Sequence, residues 1–209
     1  MPVTAIDLAN EALDLVGATA IVSFNDPTPE AKIVARAYGN VLERILRSYP
    51  WNCATTRRVL SPLSQAPSWG SELAYPLPDD CVRVLGTEDS DQTWRIESLY
   101  DGSQYLRCIL VEGATSDGAP PDLNLIYIRV PDEPSALDPN LRELVTVELA
   151  VKIAAKLTES PRRISALVRR AEQVRSRAQS IDAKEAGRGQ EHTESSTPGS
   201  WAQTLGNGG

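Results

Sequence analysis

The chain has 209 residues, of which 41% are hydrophobic, and a formal net charge of −7. A chain of this length can form one sizeable hydrophobic core and a small second lobe. No apolar run approaches the roughly 20 residues of a membrane-spanning helix. The only histidine, His192, lies in a polar C-terminal stretch, which excludes most hydrolytic triads and histidine-containing zinc sites.

The N-terminal quarter of the chain predicts two helices. The first begins after Thr4, which forms a capping box with Asp7, and ends at Gly17. The second begins at Pro29, carries one continuous apolar stripe and is stopped by Pro50. Both helices therefore have a defined start and a defined end.

From residue 53 to residue 130 the spacing of the apolar residues changes from that of a helix to that of a strand. Short segments rich in β-branched and aromatic residues alternate with clusters of Ser, Gly, Pro and Asp. The predicted strands cover residues 55–60, 82–87, 94–96, 105–111 and 123–130. This region therefore predicts a small antiparallel β lobe between helices.

Two further helices are predicted in the C-terminal part. Asp138 and Pro139 start a third helix that runs to about residue 159 and is apolar on most of its circumference, which is typical of a helix surrounded by others. Ser160 and Pro161 separate it from a fourth helix with one apolar face and one arginine-rich face. After this helix the chain is rich in Gly, Ser, Thr, Glu and Pro, and no core of its own is predicted there.

These elements predict an α+β fold that is mainly α. The expected architecture is an antiparallel helical bundle with an inserted small antiparallel β lobe and an extended C-terminal tail. The expected segments are an N-terminal helical hairpin over residues 1–52, a β-rich lobe over 53–137, a C-terminal helical pair over 138–186 and a tail over 187–209.

Cysteine usage and the N-terminus predict a cytoplasmic chain. Cys53, Cys81 and Cys108 are odd in number and far apart, so they fit neither a disulfide framework nor a CxxC metal pair. We therefore expect three buried, reduced cysteines. The first four residues lack the basic segment that precedes the apolar part of a signal peptide, so no signal peptide is predicted.

Charge is distributed unevenly along the chain. Residues 1–138 include 10 basic and 20 acidic residues, whereas residues 139–209 include 11 basic and 8 acidic residues. An acidic body argues against general nucleic-acid binding, which depends on neutralising phosphates with Lys and Arg. It is compatible with a surface along which DNA passes without being held.

No motif predicts catalysis, a metal site or a cofactor, so we do not expect an enzyme. Asp79 and Asp80 could act as an acid–base pair, but they lie beside a proline-rich bend, where aspartate more often caps a turn. The acidic run at residues 88–91 lacks the glycine and downstream glutamate of a calcium loop, and an exposed hairpin turn is favoured there. Phosphate-binding loops of the GxxxxGK[ST] and GxGxxG types are absent.

Two groups of residues are candidates for binding a partner. The arginine face of the fourth helix favours a protein partner over DNA. Its members are Arg162, Arg163, Arg169, Arg170, Arg175 and Arg177, and the first four of them are expected to contact the partner. Trp201 lies in a polar stretch and is expected to anchor the tail in a partner's groove, with Leu205 one helical turn away. The aromatic residues Tyr38, Tyr49 and Trp51 are instead expected to be core at the junction of helix and sheet.

Several short motifs are specific in combination. Residues 47–55 read RSYPWNCAT and end a long amphipathic helix on a proline, and residues 75–85 read YPLPDDCVRVL, a proline-rich bend before an apolar strand. Together with NEAL at residues 10–13, PEA at 29–31, the Asp138–Pro139 helix start and a Ser-Trp pair near the C-terminus, they occur in an order that resembles the head-to-tail adaptor family of short-tailed phages, the tail tubular protein A family. The family more often carries Phe where this chain has Cys53.

The resemblance implies a structural virion protein at the head–tail junction of a phage, assembled in the host cytoplasm. It implies a helical bundle with an inserted β region and a homo-oligomeric, dodecameric ring between the portal protein and the tail nozzle protein. C-terminal arms would reach along the portal, and genomic DNA would pass without specific binding, with no cofactor and no membrane involved. Two alternatives stay open: a DNA-binding or packaging accessory protein that uses the arginine-rich fourth helix, and a head-completion protein of a long-tailed phage.

Overall fold

A computed structural model describes residues 2–64, 67, 69–70, 72–112, 120–158 and 160–187 of the chain. The four predicted helices are confirmed in this part of the chain. They are α1 (Ala5–Val16), α2 (Pro29–Ser48), α3 (Pro139–Leu157) and α4 (Pro161–Glu185). None of these described helices is long and apolar enough to cross a membrane.

Each described α-helix begins at a capping side chain. Thr4 and Asp7 form both hydrogen bonds of a capping box at the start of α1. Each of the other helices has a side-chain cap followed by a proline in its first turn, and these caps are Thr28, Asp138 and Ser160. Local sequence alone therefore sets where the helices begin.

Gly17 ends α1 and also allows α4 to approach it. Its φ of 74° lies in the left-handed region that favours glycine. A Cβ at this position would also collide with the guanidinium of Arg163, which reaches back from the first turn of α4. A larger residue at position 17 would therefore disturb both the helix end and this contact.

The third helix is the central one, as its apolar circumference predicts. Helix α3 packs against α1, α2 and α4, whereas α1 and α2 make few contacts with each other. Ten residues of α3 are buried. The helical core is thus organised around α3.

Among the described residues, six strands form two antiparallel three-stranded sheets. The strands are β1 (Thr55–Leu60), β2 (Glu72–Pro76), β3 (Cys81–Thr87), β4 (Trp94–Tyr100), β5 (Tyr105–Glu112) and β6 (Leu123–Arg129). Sheet A has the strand order β1-β6-β3, and sheet B has the order β2-β5-β4. In sheet A the central strand β6 pairs with β1 and β3, which both lie far before it in the sequence.

Sheet A lies between the helices and sheet B. At one end of sheet A, Val82 and Ile128 are buried in the same core as the four helices, together with Ala54 just before β1. The opposite face of sheet A packs on sheet B through a second core that includes Leu125 and Ile109. The helices, sheet A and sheet B therefore form successive layers.

The predicted helical bundle with a small inserted lobe is wrong. The part of the chain that the structure describes has an α+β fold of four helices and two three-stranded antiparallel sheets. Sheet A shares the core of the helices instead of forming a separate appendage. The local spacing of apolar residues indicates strands but not which strands pair. The pairing of β1 with β6 could therefore not be predicted from the sequence.

Two details of the β region also differ from the prediction. The sequence indicates a proline-rich bend from residue 75, whereas residues 72–76 form strand β2. Pro76 is tolerated in this strand because β2 is an edge strand, where a missing N–H donor leaves no partner unsatisfied. The acidic run at residues 88–91 is not a hairpin turn, since it links β3 of sheet A to β4 of sheet B. The predicted strand at residues 55–60 is confirmed at both ends.

Candidate interaction surfaces

Residues 47–55 form a compact joint between α2 and sheet A. The side chain of Trp51 is buried, with 2% of its surface exposed, and its Nε1–H donates a hydrogen bond of 3.0 Å to the carbonyl of Ile45. The Trp51 ring packs on Tyr49, with 4.8 Å between the ring centroids. The predicted core role is thus confirmed for Trp51. Tyr49 and Tyr38 are half-buried and pack against the same core, and Tyr38 contacts Phe24, away from this joint.

Two arginines tie the joint to the first residues of β3. Arg47 Nη1 donates to the carbonyl of Val82 at 2.7 Å, and Arg83 Nη1 donates to the carbonyl of Arg47 at 3.2 Å. Residues 47–55 and 75–85 are therefore in direct contact. Hydrogen bonds from charged donors are among the stronger ones in proteins, so this contact fixes the end of α2 on sheet A.

The joint also holds the last turns of α4. The backbone N–H of Asn52 donates to Asp182 Oδ1 at 2.8 Å, and the Asn52 side-chain amide donates to the Asp182 carbonyl at 2.7 Å. The Tyr49 hydroxyl donates to the carbonyl of Gln179 at 3.4 Å. Helix α4 consequently ends at a fixed place beside the start of β1.

The two adjacent aspartates serve the turn that leads into β3. Asp80 accepts a hydrogen bond of 3.1 Å from the Tyr127 hydroxyl, and its carbonyl accepts one of 2.9 Å from the N–H of Val130. Burial, and then the charge of Asp80, raise the pKa of Tyr127. Asp79 is exposed. Asp80 therefore holds the turn against β6. Its carboxylate bonds the Tyr127 hydroxyl and not a backbone N–H of the turn, so the predicted turn-capping role is not what this side chain does.

The acidic run after β3 is bonded within itself and to β6. Glu88 accepts a hydrogen bond from the side-chain amide of Asn124, and Asp89 Oδ1 accepts one of 3.1 Å from the N–H of Asp91. Among the described residues, no group of three or more His, Cys, Asp or Glu side chains could hold a metal ion.

The three cysteines are free thiols. Cys81 and Cys108 are buried and Cys53 is half-buried, so the predicted full burial holds for two of them. Burial raises the pKa of each thiol. A raised pKa disfavours the reactive thiolate, which suits cysteines that pack in a core.

The arginines of α4 fall into two groups. Arg163 Nη1 donates to the carbonyl of Val16 at 2.6 Å, at the end of α1, where a cation is favoured by the helix dipole. Arg170 lies 3.4 Å from Glu143 of α3. Arg175 is paired with Glu148, also of α3. Three of the six arginines thus hold α4 to its neighbours.

The other arginines of α4 point away from the core. Arg162, Arg169 and Arg177 are exposed, and their side chains make no hydrogen bond or ion pair with another described residue. Of the four arginines predicted to bind a partner, Arg162 and Arg169 remain candidates for that role. Arg163 and Arg170 are engaged in contacts within the chain.

The carboxylate of Glu148 in α3 forms ion pairs with both α2 and α4. This carboxylate is nearly buried in α3 and accepts a hydrogen bond of 2.9 Å from Arg44 of α2 as well as one from Arg175 of α4. Glu143 of the same helix instead pairs with Arg170 near solvent. Two glutamates on one helix therefore differ mainly in burial and in the number of their partners.

We expect Glu148→Ala to lower the free energy of unfolding by about 1–3 kcal/mol, since it removes two charge-assisted hydrogen bonds and leaves two arginines to rehydrate. Glu143→Ala is the matched control and should cost much less, because pairs between exposed side chains contribute little. Urea unfolding of both variants measures the difference. Equal losses would show that Glu148 does not join the helices as described.

The β4–β5 hairpin presents exposed aromatic residues. Tyr100 and Tyr105 are 54% and 76% exposed, and their rings lie 5.2 Å apart between centroids. The intervening turn is ordered by Asp101 Oδ1, which accepts three hydrogen bonds of 2.8 Å from Ser103 and Gln104. Ordered, exposed aromatic side chains are typical of protein interfaces.

A groove lies on the face of sheet A that is turned away from sheet B. Its volume is about 490 Å³, and residues 57–59, 88 and 124–126 line it. Val59 is 60% exposed there, beside the exposed Arg57. The helices cover only the other end of this sheet face, at Val82 and Ile128, so the groove is open.

Sequence reasoning missed both of these surfaces. The Tyr100 and Tyr105 pair encloses a DGSQ turn, which signals a hairpin, but its exposure depends on where β2 ends. The predicted tail anchors Trp201 and Leu205 lie outside the described residues.

No protein-family model matches this chain, and no curated protein matches its sequence closely enough to indicate a relative.

Proposed function

We propose that this protein is a structural virion protein: the head-to-tail adaptor that joins the portal to the tail nozzle of a short-tailed phage and forms part of its DNA channel. One observation carries the proposal. The two motifs with the most specific resemblance to that family, residues 47–55 and 75–85, contact each other through Arg47 and Arg83. These arginine side chains bond backbone carbonyls of α2 and β3 and so have a structural role, as expected for a structural protein.

The position of the end of α4 supports the same role. Asn52 and Asp182 fix the end of α4 to the joint, and residues 188–209 follow from that point. A segment that leaves a rigid body at a fixed place can be directed along a neighbouring protein. The outward-facing Arg162 and Arg169 are further candidates for a contact with the portal.

The charges of the described residues favour an adaptor over a DNA-binding protein. Affinity for duplex DNA comes mainly from Lys and Arg that neutralise phosphates. Three of the six arginines of α4 are engaged within the protein, and residues 1–138 include twice as many acidic as basic residues. Such a ring would let the genome pass without holding it.

The test is the mass of the particles formed with and without the portal protein from the same genome, measured by native mass spectrometry. We expect the chain alone to be a monomer or weak oligomer, because an acidic body with few exposed apolar residues lacks a strong surface for self-association. With the portal it should form a closed ring on the portal particle. No association with the portal at micromolar concentration would contradict the adaptor function.

A parallel measurement separates the alternative function. The same protein is passed over immobilised duplex DNA at about 100 mM salt, where a protein that contacts many phosphates is still retained. We expect it to flow through. Retention that Arg162→Glu and Arg169→Glu abolish would instead support the DNA-binding accessory role.

A further inference from the structure

The tip of the β4–β5 hairpin projects beyond the rest of sheet B. Strand β2 pairs with β5 only as far as Pro76 opposite Cys108, whereas β4 pairs with β5 as far as Tyr100 opposite Tyr105. After β2, the Leu77 N–H still donates to the Arg107 carbonyl at 2.8 Å. The residue pairs beyond Arg107 have no third strand beside them. We call residues 98–107 the hairpin tip.

The groove of residues 57–59, 88 and 124–126, called the sheet-A groove, cannot receive its own hairpin tip. Leu125 and Leu60 face sheet B, whereas Arg57 lies opposite Ile126 on the other face of sheet A. Arg107 at the base of the hairpin tip donates to the carbonyl of Cys81, at the start of β3, whereas the groove adjoins its end. Tip and groove thus lie at opposite ends and on opposite sides of sheet A.

The two surfaces are complementary in chemistry. The groove offers the apolar side chains of Val59 and Ile126 and the exposed guanidinium of Arg57, which has no ion pair with another described residue. An arginine binds well to the face of a tyrosine ring. The hairpin tip offers two tyrosine rings and the carboxylate of Asp101. Backbone hydrogen bonds from Gln104 and Ser103 lower the pKa of Asp101, so the turn is negatively charged at neutral pH.

We infer that the hairpin tip of one copy of this chain docks in the sheet-A groove of the next copy. This inference rests on the proposed function, since it supplies the contact between neighbours in the adaptor ring. Because tip and groove are different surfaces, the contact runs head to tail, and repeated contacts of this kind close into a ring when their rotation permits. Both surfaces of each copy are then occupied.

The size of the contact fits assembly on a template. An aromatic side chain buries at most about 150–250 Å², so two tyrosines supply well under the roughly 800 Å² per partner of a stable interface. A single contact is therefore weak in dilute solution. Copies already bound to a common partner would make the same contact readily, because their local concentration is high.

The test places the photoreactive amino acid p-benzoylphenylalanine at position 105 and irradiates the full chain at about 100 μM, a concentration suited to weak contacts. A mixture of isotopically light and heavy chains distinguishes links between copies from links within one copy. We expect light–heavy products in which the hairpin peptide is joined to residues 55–60 or 123–129. Links to any other region, or no linked product, would overturn the inference.

Variants of the groove test the same contact. Arg57→Glu combined with Val59→Glu should reduce the yield of linked product at least about 10-fold, because it places like charge opposite Asp101 and removes apolar surface. Val168→Glu on α4 is the matched control and should leave the yield unchanged. An equal yield in both variants contradicts the inference.

The hairpin contact and the adaptor function can fail separately in these experiments. Linked copies without any binding to the portal would support the hairpin contact and overturn the adaptor role. Portal binding by a chain whose hairpin never reaches the groove would do the reverse.

Discussion

Replacing Trp51 with alanine should lower the free energy of unfolding by about 3–5 kcal/mol, the usual range for truncating a buried aromatic side chain. Trp51 is the largest fully buried side chain of the described residues, and it fills the joint between α2, sheet A and α4. Its loss leaves a cavity where three elements meet. The expected drop in melting temperature is roughly 10 °C, measured by circular dichroism.

Two variants separate packing from other effects. Trp69 is 82% exposed, so Trp69→Ala should leave the melting temperature nearly unchanged. Trp51→Phe keeps a ring against Tyr49 but removes the donor to the Ile45 carbonyl, and Ser48 Oγ still donates to that carbonyl at 2.7 Å. It should therefore cost much less than Trp51→Ala. Similar melting temperatures for Trp51→Ala and Trp69→Ala would contradict the role assigned to the joint.

The helices were predictable because their signals are local. Thr4, Thr28, Asp138 and Ser160 each lie within three residues of the backbone N–H group that they cap, so a short window of sequence contains the interaction. The central place of α3 was predictable for a similar reason, since apolar residues on most of its circumference need neighbours on several sides.

The sheets were not predictable to the same degree because their pairings are remote. Leu60 lies opposite Leu123, and nothing near either residue indicates the other. The sharing of one core by sheet A and the helices depends on Val82 and Ile128, which come from different strands. A sequence window can indicate a strand, but only the assembled sheet shows which face meets the helices.

The candidate surfaces show the same limit. The pattern of α4 correctly indicates an apolar face and an arginine face. It cannot indicate that Arg163 reaches the end of α1 or that Arg170 meets Glu143, because those partners are supplied by other helices. The exposure of Tyr105 likewise depends on the length of β2.

Trp201→Ala is expected to weaken binding of the chain to the portal at least about 30-fold, because truncating a tryptophan at the centre of an interface commonly costs about 2 kcal/mol or more. The prediction rests on the proposed adaptor function. Fixing a segment on a partner costs roughly 1–2 kcal/mol of backbone entropy per residue, so a stretch rich in Gly and Ser needs concentrated contacts. Trp201 is the one large aromatic residue in 188–209, and Leu205 follows it by four positions.

The measurement compares the affinity of Trp201→Ala and Trp69→Ala chains for the portal ring. Only the first should lose affinity, because Trp69 belongs to the body of the protein and not to the C-terminal segment. Deleting residues 188–209 should abolish portal binding while leaving the melting temperature nearly unchanged, because this segment has few apolar residues to contribute to a core. Unchanged affinity for Trp201→Ala, or a large loss of stability on deletion, would contradict the anchoring role.

Every copy in a ring contributes one such segment, so a modest loss of affinity per copy is multiplied across the ring. The yield of infectious particles should therefore fall more steeply than the affinity of a single chain.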